Sequence, residues 1–148
     1  MLTTSERQSL YTKCFSDMTA FKKRFPVLTF DEAFYQKRIL TNFLGGHITM
    51  ETHADNGCFV VTVTPKIEIS NRFAPGTKLV VNPNLKPNNG DFVLVYVHEQ
   101  LNVLFRKYVI EDDEVALEST VEELQATALT HQDKIIGVVT ESRLDFPF

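Results

Sequence analysis

An α+β fold is what the sequence predicts: a pair of N-terminal helices, then a mainly antiparallel β domain. Three observations carry that expectation. Apolar residues recur every three or four positions between Leu10 and Phe25. From Gly57 onward the pattern becomes extended, in short β-branched and aromatic runs. Turn-forming residues separate those runs, with Pro75-Gly76 and the cluster from Pro83 to Gly90 the clearest.

In "SERQSLYTKCFSDMTAFKKRF" the residues Leu10, Tyr11, Cys14, Phe15, Met18, Phe21 and Phe25 line one stripe, with Lys and Arg opposite. This predicts a helix over 5–24, stopped by Pro26. "TFDE" offers a capping box in which Thr29 and Glu32 satisfy each other's free amides. A second helix is expected over 30–44, burying Phe34, Ile39 or Leu40, Phe43 and Leu44 and ending at Gly45-Gly46. Strands are expected at "CFVVTVT", "KLVV", "DFVLVYV", "LNVLFRKYVI", "EVALES" and "KIIGVVTES". The chain divides into a helical pair (1–46), a polar connector (47–57) and a β domain (58–148).

The 148 residues suffice for one domain with a real core, which 12 Phe and no Trp make rich in Phe and Val. A net charge of −4 exerts no general pull on nucleic acid or membrane. It hides an asymmetry: residues 1–46 carry about +3, which leaves about −7 for the rest. Cys14 and Cys58 fall in no metal or redox spacing, as in a reducing compartment. "MLTTSERQSLYTK" has no apolar signal core, and no apolar run nears the length of a membrane span. The expected location is the cytoplasm, away from membranes.

His47, His53, His98 and His131 form no ligand spacing, so neither metal nor cofactor is expected. The "EDDE" run reads as a solvated turn. Lys22, Lys23, Arg24, Lys37 and Arg38 flank the helical corner and bring a helix-turn-helix DNA reader to mind. Two helices are too few for such a domain, and Phe-Pro-Val-Leu is not its turn, so a solvated basic face is the better reading.

The order of the corners is more specific. Pro75-Gly76, Val81-Asn82-Pro83, the turn from Pro87 to Asp91, and the closing Gly137-Val138-Val139 stand in that order over residues 58–142. This arrangement resembles the C-terminal domain of the LexA, phage-repressor and UmuD family of self-cleaving proteins (peptidase S24-like). The resemblance implies a LexA/signal-peptidase-like β domain that dimerises and serves transcription regulation or the SOS response. It also implies a Ser–Lys dyad, in which a buried neutral lysine takes the proton of a serine that attacks the chain's own linker.

The residues for that chemistry are missing. Counting back from Gly76, the nucleophile position falls on Ile67 or Glu68, and the base position on Arg106. Arginine keeps its proton in proteins and is no general base. The family's Ala-Gly or Cys-Gly cleavage dipeptide is absent too. A shifted dyad of Ser70 and Lys107 would need Lys107 to face inward, on the side of the strand opposite Arg106. The expectation is therefore a pseudo-peptidase, with Glu68 and Arg106 paired across the vacated site. Its expected work is association: a homodimer, with a regulatory or DNA-bound protein as a further partner, through Leu144, Phe146 and Phe148 of the tail. A transcriptional regulator binding DNA through its N-terminal helices is the alternative, and an active self-cleaving peptidase the third.

Overall fold

The structure, a computed structural model, describes residues 21–39, 43, 45–64, 73–119 and 126–144. Its strands are β1 (Phe21–Leu28), β2 (His47–Thr52), β3 (Phe59–Thr62), β4 (Lys78–Asn82), β5 (Phe92–Val97), β6 (Asn102–Glu111), β7 (Glu114–Glu118), β8 (Thr127–Ala128) and β9 (Lys134–Arg143). Two short helices, α1 (Phe30–Phe34) and α2 (Gln36–Ile39), and a 3-10 turn at His98–Gln100 complete the described elements. The strands join in one sheet of order β2-β1-β3-β4-β9-β5-β6-β7-β8.

This architecture overturns the expected α+β fold. The described residues are mostly β, and the sheet is mixed, because β1 runs parallel to β3. Residues 21–24, assigned to the first helix, lie in β1, and Pro26 sits inside that strand. The reason is an ambiguity of period. Phe21 and Phe25 are four apart, which puts them on one face of a helix and equally on one face of a strand. Residues 1–20 lie outside the described residues. Of the second predicted helix, over 30–44, the described residues hold α1 and α2, and residues 40–42 and 44 lie outside the described residues. Its start is as expected: Thr29 accepts from the Glu32 amide at 3.1 Å, and Glu32 accepts from the Thr29 amide at 3.0 Å.

Strand β1 changes partner along its length. Phe21 to Pro26 pair antiparallel with Thr52 to His47, and then Val27 and Leu28 pair with Val60 and Val61 of β3. Pro26 stands at the switch, where a residue without an N–H is tolerated. The turn glycines behave as their neighbours suggest: Gly76 and Gly90 have φ of 93° and 92°, which a side chain would disfavour.

The core lies on both faces of the sheet. Leu28, Phe30, Ala33, Phe59, Leu79, Leu94 and Phe105 make the largest cluster, under α1. Val93, Val95, Leu104, Leu117 and Val138 fill the opposite face of β5, β6 and β9. A third cluster joins Phe25 and Met50 of the β1–β2 ribbon to Cys58, Val60 and Val80. At the far end, Asp133 accepts from the amides of Thr130 and His98, both at 2.9 Å, tying the β5–β6 and β8–β9 turns together.

Candidate functional site

Strand β6 carries the residues the resemblance picks out, and the alternation of a strand separates them. Val103, Phe105 and Lys107 share one face; Leu104, Arg106 and Tyr108 share the other. Lys107 pairs with Phe92, and Arg106 with Val93. Arg106 is 6% exposed among the valines of its face, whereas Lys107 is half-buried.

A guanidinium in such a place needs acceptors. Arg106 Nη1 donates to the carbonyl of Phe105 at 2.8 Å. The direction of that carbonyl follows from the ladder. Tyr108 exchanges backbone hydrogen bonds with Gly90 and Asp91, so its groups point toward the β5 side. Phe105, three residues earlier, points the opposite way. On the same edge the Val103 amide donates to Asn102 Oδ1 at 2.9 Å. Side chains thus occupy backbone groups of β6 from residue 103 to 105, before β7 pairs with Lys107 and beyond.

Beside this edge is a groove of about 460 Å³. Its walls are Val27 to Asp31 at the start of α1, Thr62 and Thr64, and Gln100 with Asn102 to Phe105. Phe73 packs edge-on against Phe105, centroids 5.6 Å apart, and Phe92 stacks on Phe105 at 5.3 Å. Thr64 and Phe73 bracket residues 65–72. Of these two flanking residues, Thr64 shares the groove with Val103 and Phe105, and Phe73 packs on Phe105. A second groove, of about 560 Å³, lies between Phe73, Phe92 and the last residues of β9, with Leu144 in its wall.

Ile67, Glu68 and Ser70 lie outside the described residues, as do Phe146 and Phe148, so no distance connects them to Arg106, Lys107 or Leu144. Arg106 and Lys107 diverge, as alternation requires. The basic residues assigned to a helical corner are divided: Lys22, Lys23 and Arg24 lie on β1, and Lys37 and Arg38 on α2. Among the described residues no cluster of three or more His, Cys, Asp or Glu could hold a metal, and no helix is long and apolar enough to cross a membrane. Sequence reasoning missed both grooves and the use of Asn102 and Arg106 along β6. Their local signal is an Asn at the head of the strand and an Arg on the face it shares with Leu104 and Tyr108.

No protein-family model matches the chain. Over 77 residues the chain is 30% identical to an uncharacterized HTH-type transcriptional regulator of Coxiella burnetii (strain RSA 493 / Nine Mile phase I). The similarity takes in 50% of this chain and 36% of that relative. The match thus reaches about a third of the regulator's length.

Proposed function

We propose that the chain is a non-catalytic, LexA/UmuD-like regulatory domain that acts through protein–protein association, self-dimerisation included. One observation carries the reading. At the position where the resemblance requires a proton-accepting lysine stands a buried arginine, its guanidinium held by the Phe105 carbonyl. Such a group anchors; it does not abstract protons. Further support comes from the similarity to an HTH-type regulator and from glycine turns at Gly76 and Gly90. In this reading Glu68 neutralises Arg106, and Leu144, Phe146 and Phe148 contribute to the contact between copies.

A specific feature favours one other reading. Lys107 shares its face of β6 with Phe105, against which Phe73 packs, so a shifted Ser70–Lys107 dyad is the competitor. Prolonged incubation at alkaline pH, followed by mass spectrometry, separates the two. The expected result is an intact chain. A specific fragment that disappears with Ser70→Ala would establish the dyad and end the non-catalytic reading.

A further inference from the structure

The ribbon formed by β1 and β2 is joined to the rest of the sheet weakly for its size. Six residue pairs hold its two strands together, from Phe21↔Thr52 to Pro26↔His47. Only Val27 and Leu28, past Pro26, are registered on β3. The ribbon instead lies over β3 and β4, with Phe25 and Met50 on Cys58, Val60 and Val80. Cys58 is 1% exposed beneath it.

The far end of the ribbon is fastened by a polar latch. Thr52 Oγ1 donates to Glu141 Oε1 and accepts from the Ala54 amide at 3.0 Å. Arg143 Nη2 donates to the Glu51 carbonyl and to Glu141 Oε2, the latter at 3.2 Å. Glu141 thereby links β2 to β9 across elements 89 residues apart in sequence. Thr52 is 2% exposed, so its buried O–H would lose its acceptor if the carboxylate were lost, while its oxygen kept the Ala54 amide. Its register partner Phe21 is also where the chain enters the ribbon from residues 1–20. The hinge lies at one end of the ribbon, and the latch and the entry point share the other.

We propose that the β1–β2 ribbon is a hinged lid, turning at Pro26 and fastened by Thr52, Glu141 and Arg143, which opens as a unit and uncovers Cys58 with the apolar face of β3 and β4. The device goes beyond the proposed association and does not depend on it. Local opening of this kind has its own free energy, below that of global unfolding.

The test uses the full chain carrying Cys14→Ser, so that Cys58 is its one thiol. Maleimide labelling of Cys58 is followed together with hydrogen exchange of the backbone amides. Thr52→Val and Glu141→Leu should each speed labelling at least about tenfold, the loss of one hydrogen bond to a charged group. Exchange at Phe21 to Phe25 and His47 to Thr52 should rise with it, while Val93 to Val97 and Leu104 to Phe105 stay protected. Thr52→Ser, which keeps the hydroxyl, should label at the parental rate. Unchanged labelling in both variants would overturn the proposal. So would labelling that rises in step with exchange at β5 and β6, because the opening would then be global.

Discussion

At Cys58, burial pushes the thiol up from 9.0 to about 11, and the neighbouring Asp55 carboxylate adds to the rise. The thiol is thus held protonated, and inert, under ordinary conditions. Because its folded value lies above its unfolded one, its contribution to stability is fully present below pH 9.0 and is lost as pH rises through about 11. Replacing Cys58 with Ala should flatten the fall in denaturant midpoint across that window. An unchanged slope would show that other groups set it. Burial acts differently on Arg106, which keeps its charge and must be satisfied in place. If Glu68 is its buried partner, Glu68→Gln should cost about 3–5 kcal/mol, measured by denaturant unfolding. Unchanged stability would remove that pair.

Gly137 shows how one element depends on the absence of a side chain. A Cβ there would stand 2.7 Å from Val81 Cγ1 and 2.9 Å from the Asn82 carbonyl oxygen. The second of these is backbone of β4, which pairs with β9 and has little freedom to retreat. Gly137→Ala should therefore destabilise the protein by about 1–3 kcal/mol, the usual penalty for overpacking. A denaturation midpoint equal to that of the parent would mean that β9 can shift. The register of β9 already changes between its pairs with Val80 and Val81, where Val80 meets Glu141 and Val81 meets Val139. That bulge sets Glu141 on course toward Thr52. Gly137 was legible only as part of a closing Gly-Val-Val strand; its close approach to β4 and the bulge were not, because neither leaves a mark on composition.

Across the whole molecule, association is the property to measure. Leu144 lines a groove with Phe73, Phe92 and Val139, and the tail that follows holds two phenylalanines. A twofold dimer needs a self-complementary patch, and each phenylalanine fully buried gains about 1.5–3 kcal/mol. Sedimentation at micromolar concentration should show a dimer that weakens when residues 144–148 are deleted or Phe146→Ala is introduced. A monomer throughout that range would exclude self-association. Duplex DNA should cause no salt-dependent shift of the chain, and a shift would favour the DNA-binding alternative.

The sequence by itself determined the strands from residue 59 onward except the short β8, because β-branched runs between Pro, Gly and Asn turns favour extended structure. Glycines at the left-handed positions 76 and 90 and the Thr29–Glu32 capping box were equally local, and so equally legible. Tertiary structure decided the rest. Spacings of four fit a helix and a strand alike, and β1 became a strand where β2 and β3 offered it edges. The parallel pairing of β1 with β3 and the fastening of Thr52 to Glu141 join residues 33 and 89 positions apart. No local pattern records such contacts, since each is chosen by what the folded sheet brings within reach.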